Sequence, residues 1–339
     1  MIQIARGLPL GLVLVLAGGA CEKAGESTEI EGSGELSQSE QELFTLLPAG
    51  SNLVFGGNYR KLMKHWETSP LKKLSESVLA ATATGETDGM REYMTCWVEQ
   101  EHATDLAGAM EVNAGGIGMI MVFRGVSEKL LTSCAQRGGM TFKRDPDGKY
   151  IELQGLSNGA GGSVNAGYYL VTPNIAYFAL DMPLGAGMGQ PLPTLARADL
   201  EARIQKAKQA PAAKDATVRS LMAKADRSKP FWFSGSAAGT PAASQLGTGH
   251  GWLDADASSM TLAFSVELAD ARTASQAVSG FDTAKKQVDQ LPPDLKDAAK
   301  AFLADARLTS SGKTLNGRFR LTNEVVNKAM PALQGLMGR

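Results

Sequence analysis

From residue 47 onward the chain alternates short apolar runs with turn clusters, which predicts a mixture of strands and helices. Leu47-Pro-Ala-Gly50 reads as a turn, residues 52–56 as a strand and residues 59–66 as a helix. Pro70 interrupts, and a second helical stretch passes through Leu74 and Val78. Residues 93–98, 109–112 and 118–123 read as strands, the first because aromatic and β-branched residues crowd it. Residues 127–136 form a helix. Two hairpins follow, one around Asp145-Pro-Asp-Gly148 and one around Thr172-Pro-Asn174. Residues 192–226 are helical in composition, with Pro211 as punctuation.

The later part repeats the order. Residues 229–233 are a strand, and 251–255 with 260–268 a strand pair around Asp256. Asp270 caps a helix through Phe281 and Val288, and Pro292-Pro293-Asp294 restarts one through Ala306. Residues 308–310 and 315–321 form a hairpin around Ser311-Gly-Lys313, and residues 323–336 close the chain as an amphipathic helix. Strand, strand pair, helix and hairpin recur in the same sequence. The fold class is therefore α+β, as two diverged repeats of antiparallel sheet with helices packed on one face. Residues 43–191 are the first repeat; residues 192–339 are a helical connector and the second repeat.

Residues 1–42 obey a different pattern. Arg6 precedes an apolar run of residues 8–17, and Gly18-Gly-Ala20 leads into Cys21. A charge, a short apolar core and small residues make residues 1–20 a secretory signal, since crossing a bilayer takes about 20 apolar residues. With the cysteine directly after it, this segment resembles a bacterial lipoprotein signal, although Gly18 stands where leucine is usual. The resemblance implies lipid attachment at Cys21, through diacylglycerol on the thiol and an acyl chain on the freed amine. Residues 21–42 are acidic, small and nearly free of apolar side chains, so they are expected to be a disordered tether. Its reach is about 25 Å root-mean-square. The expected location is the bacterial cell envelope, lipid-anchored at the outer membrane.

Charge narrows the partners. The chain carries 34 basic and 35 acidic side chains, and losing Arg6 with the signal removes one basic group. Such balance argues against nucleic acid. The expected partners are the membrane, reached through the anchor, and an envelope protein, lipid or peptidoglycan. Two apolar stretches, residues 106–123 and 168–184, contain charges and turn residues and read as strand pairs rather than spans. With Cys21 lipidated, Cys96 and Cys134 remain, in a compartment that permits disulfides. A bridge between them is expected; two buried free thiols are the alternative.

The opening Leu47-Pro-Ala-Gly-Ser-Asn-Leu-Val-Phe55, with Ser69-Pro-Leu71 after it, is similar to a group of uncharacterised exported bacterial lipoproteins. So is the pair Cys96 and Cys134 with Val122-Phe-Arg-Gly125 between. The likeness implies the α+β repeat and an envelope location, and no activity.

Several chemical motifs are decoys. Gly155-Leu-Ser157-Asn-Gly159 matches a nucleophile elbow, with Asp181 or Asp199 and then His250 downstream, but a glycine-rich stretch follows where a helix must start. A serine hydrolase using Ser157 and His250 is the runner-up. Ser69-Pro-Leu-Lys72 lacks its partner motifs, and Gly312-Lys-Thr314 is better explained as a hairpin turn. His65, His102 and His250 are isolated, and Asp254 with Asp256 lacks the glycine and glutamate of a calcium loop. Trp66, Trp97, Trp232 and Trp252 read as packing residues before a ligand face. The expectation is a non-catalytic binding or structural lipoprotein with no cofactor and no metal.

Overall fold

The computed structural model describes residues 38–337 apart from 65–67, 71, 73–88, 90–91, 94, 98–103, 114–115, 158–162, 184–194, 239, 241 and 292. The signal, Cys21, most of the tether, His65, His102, Trp66 and the helix through Leu74 and Val78 lie outside the described residues. Among the described residues twelve strands form one antiparallel sheet. In chain order they are β1 (Leu53–Asn58), β2 (Asp105–Asn113), β3 (Gly116–Arg124), β4 (Thr141–Arg144), β5 (Tyr150–Ser157), β6 (Ser163–Thr172) and β7 (Ile175–Pro183). Then come β8 (Phe231–Ser236), β9 (Leu246–Ala255), β10 (Ser259–Leu268), β11 (Arg307–Ser311) and β12 (Thr314–Thr322).

Their spatial order, β11-β12-β10-β9-β8-β1-β2-β3-β7-β6-β5-β4, shows the two repeats directly. Outward from the central pair β1 and β8, each half lays down a first strand and then a hairpin, β2–β3 or β9–β10. The next hairpin enters in reverse, β7 then β6 on one side and β12 then β11 on the other. The first half adds the hairpin β4–β5 at its far end. The sequence predicts the sheets but not their fusion: β1 and β8 pair along residues 53–57 and 231–235, making one sheet of both.

Period-two alternation decides which face each side chain takes. One face carries Val54, Ala107, Ala109, Ile120, Val122, Ile175, Tyr177 and Trp232. Over it lie α1 (Gln38–Phe44), α4 (Arg197–Gln209) and α5 (Ala216–Lys224), through Leu43, Phe44, Leu200, Ile204, Val218 and Leu221. Phe44 stacks on the fully buried Trp232 with ring centroids 5.7 Å apart. On the other face α3 (Glu128–Arg137) packs Leu130, Leu131 and Cys134 against Phe123, Ile151, Leu153, Leu170 and Phe178. In the second repeat α6 (Ala271–Gln287) and α7 (Pro293–Asp305) cover that same face through Phe281 and Leu303 against Leu308, Leu315 and Phe319. Thus the helices internal to each repeat share one face, and the connector helices take the opposite one. α2 (Tyr59–Met63) follows β1, and α8 (Asn323–Met337) packs on α7 and closes the chain.

The caps are those the sequence encodes. Ser127 Oγ accepts from Leu130 N–H, and the Asp270 carboxylate accepts from Thr273 N–H at 2.7 Å. Three local expectations fail. Tyr93, Cys96 and Trp97 stand on helical backbone, not on a strand. Their i, i+3, i+4 spacing gives one apolar face, and burial against Phe123 and Leu130 outweighs strand propensity. Residues 38–42, expected to belong to the disordered tether, are helical. Leu43, Phe44, Leu46 and Leu47 are buried, and the turn before them is drawn into α1. Ser39 donates to Asp105, and Glu42 receives Arg124, which fixes that turn. Finally, Ser157 ends β5, paired with Ser163, where a longer glycine loop is expected.

Candidate functional site

The hydrolase alternative depends on bringing Ser157 to His250. Ser157 lies on β5 and His250 on β9, with seven interstrand steps between them. At about 4.8 Å per step that is roughly 34 Å along the sheet. The acids are engaged elsewhere. Asp181 holds Arg203 by two hydrogen bonds, 3.2 and 2.5 Å, and Asp199 accepts from Ala196 N–H at the start of α4. The structure does not bring these residues together, whereas nucleophile and base must meet within about 3 Å.

The other motifs have structural duties. Ser69 Oγ accepts from Lys72 N–H at 3.2 Å, a helix-start contact. Gly312, at φ 57°, turns the β11–β12 hairpin. Asp256 accepts from the backbone N–H and hydroxyl groups of Ser258 and Ser259. These bonds, the Ser258 N–H first, lower its carboxyl to about 2, as suits a turn residue. Asp254 meets Lys229 at 3.1 Å. Among the described residues no three His, Cys, Asp or Glu side chains gather as a metal site. Trp97 and Trp232 are core residues, and Trp252 is half-buried beneath the Lys229 ammonium, 4.6 Å from its ring centroid.

The second repeat carries a polar sheet face. On the connector side, the first repeat's sheet is apolar and covered, and Trp232 and Trp252 carry that cluster onto β8 and β9. Beyond them the face turns polar, with Arg318 and Arg320 exposed and the small residues between the strands mostly buried. Register defines its rows. Ser234, His250, Ser265, Asn316 and Thr309 stand side by side across β8, β9, β10, β12 and β11. The adjacent row runs Trp232, Trp252, Ala263, Arg318 and Arg307. Arg320 follows opposite Thr261. Helix α5 borders this platform on the β8–β9 side, where Lys224 donates to Thr248 at 3.3 Å. The sequence reading missed the platform, yet its signal is plain. β10 is polar or small at 259, 261, 263, 265 and 267, while 260, 262, 264, 266 and 268 are all apolar. Such alternation marks a strand with one solvated face.

No family model matches this sequence, and no curated protein matches it. The chain is similar to solved structures of TP0453. Crystal form III gives a TM-score of 0.42 at 9% identity, over 86% of this chain and 97% of that one. Crystal form I gives 0.40 at 10% identity, over 86% and 96%. No helix among the described residues is long and apolar enough to cross a membrane.

Proposed function

We propose that this chain is a non-catalytic lipoprotein of the bacterial cell envelope, anchored at the outer membrane through Cys21, that works as a binding module. The observation carrying the non-catalytic reading is the separation of Ser157 from His250 by seven strand steps. The anchor rests on the signal and on Cys21 at its end. Two or more acyl chains suffice for stable attachment. The disulfide Cys96–Cys134, with Cα atoms 5.3 Å apart, is in keeping with an oxidising compartment. An envelope protein, a lipid or peptidoglycan would meet the body at the polar face where Arg318 and Arg320 are exposed.

One experiment separates the parts of this reading. Cys21→Ser should abolish acylation and detergent-phase partition, with circular dichroism unchanged. Persistent partition in that variant would remove the anchor from the proposal. A serine-reactive probe should label wild type and Ser157→Ala alike; labelling lost in the variant would restore the hydrolase.

A further inference from the structure

The polar face of the second repeat has a definite charge pattern, with Arg307, Arg318 and Arg320 exposed on it. Its two carboxylates are each matched to a lysine, Asp254 to Lys229 at 3.1 Å and Glu267 to Lys313 at 3.4 Å. Arg307 directs its guanidinium to the carbonyls of Ala304 and Ala306. Arg318 and Arg320 are exposed and have no ion pair or hydrogen bond among the described residues. Arg318 also stands directly across from Arg307. Like charges in opposed strand positions cost stability, and an anion over the pair relieves that cost. The second observation is the row beside them. Ser265 and Asn316 are only 8% and 9% exposed, yet their side chains form no hydrogen bond among the described residues. Their polar atoms are not sealed inside the core either. With Thr309 they make a strip of donors and acceptors one strand spacing apart, beside the two free cations.

We propose that this face binds an acidic, hydroxyl-rich polysaccharide, with Arg318 and Arg320 taking carboxylates and Ser265, Asn316 and Thr309 taking hydroxyls. This deepens the binding-module reading and rests on it. Guanidinium forks match planar carboxylates in a bidentate manner, and the polar strip suits a ligand that offers hydroxyls at every step. A protein partner would need aromatic anchors at the centre of its patch. Of the aromatic side chains on this face, Trp232 is fully buried and Trp252 lies half-buried beneath Lys229, while Phe233, Phe264 and Phe319 alternate onto the opposite face.

The test is isothermal titration of the full-length protein in neutral detergent with three probes. These are polygalacturonate oligomers, neutral dextran oligomers, and glycerol phosphate as the headgroup of an anionic lipid. Polygalacturonate should saturate one site and bind about tenfold or more tightly than dextran. The double variant Arg318→Ala/Arg320→Ala should weaken it about tenfold, and the double lysine variant should recover part of that loss. Asn316→Ala should weaken both sugars, with the thermal transition unmoved. Absence of polygalacturonate binding, equal affinity for dextran, or an unaffected double alanine variant would overturn the proposal. So would glycerol phosphate binding more tightly than polygalacturonate, which would assign the face to lipid headgroups. None of these outcomes bears on Cys21 anchoring, so the two readings fail separately.

Discussion

Residues with several partners hold this molecule at its turns. Arg197 binds Asp145 and Asp147 of the β4–β5 turn, and Glu201 one turn along α4, all at 2.8–2.9 Å. It thereby fastens the connector to the far hairpin of the first repeat. Cys96 and Cys134 do the same covalently, between the helical residues around Tyr93 and α3. Closing a loop over a separation of 38 residues removes denatured-state entropy worth about 3–4 kcal/mol. Cys96→Ala/Cys134→Ala should therefore lower stability by about that amount in urea titration, with little change in the native spectrum. A loss below about 1 kcal/mol would mean that packing of Tyr93 and Trp97 already fixes this segment. The cysteine pair was legible from counting, since the expectation that Cys21 carries the anchor leaves two of the three cysteines to pair. The helical state of Cys96 was not: its neighbours favour a strand locally, and only contacts with Phe123 and Leu130 decide otherwise.

At the scale of the strand, one row couples phenylalanine rings to glycines on neighbouring strands. Gly108, Phe55, Phe233, Gly251, Phe264 and Gly317 lie side by side across β2, β1, β8, β9, β10 and β12. Each ring lies over a neighbouring glycine: Phe55 over Gly108, Phe233 over Gly251, Phe264 over Gly317. The glycines leave room for the rings and the rings shield the bare backbone. A methyl at 108 would occupy the volume of the Phe55 ring. Gly108→Ala should cost about 1–3 kcal/mol by overpacking, and Phe55→Leu in the same chain should return part of it. Additive losses would show that the ring and the glycine are independent. Hairpin turns and helix caps could be read from sequence because each needs particular residues within a few positions. These cross-strand couples could not, since partners such as Phe55 and Gly108, or Phe264 and Gly317, lie on strands far apart in the chain.

For the whole molecule, burial of phenols sets a limit on alkaline stability. All six tyrosines, Tyr59, Tyr93, Tyr150, Tyr168, Tyr169 and Tyr177, are shifted upward, with burial as the leading cause in each. Tyr59 and Tyr150 are pushed up to about 12. In the unfolded chain a phenol ionises near about 10, so below that pH both states are neutral and stability is untouched. As pH rises from there toward the folded values, only the unfolded state releases protons, and stability falls. Phenolate absorbance should stay low to about pH 11 and then rise together with loss of near-ultraviolet dichroism. Separate tyrosines titrating near 10 with the fold intact would contradict this burial. The α+β class and the duplication were visible in the recurring order of elements. The single sheet depended on the pairing of β1 with β8, for which no local residue pattern speaks, whereas the polar row around Arg318 could have been read from the alternation along β10.

That pairing also has a meaning in terms of symmetry. Two antiparallel strands exchange places under a two-fold rotation, so the β1–β8 join is the contact one repeat would make with a second copy of itself. A lone repeat would display its first strand as a long unpaired edge, and such an edge is satisfied by another copy or by aggregation. Joining two copies through a connector makes that encounter intramolecular and independent of concentration. It also frees the two halves to diverge, one toward an apolar face beneath the connector helices and the other toward a polar one.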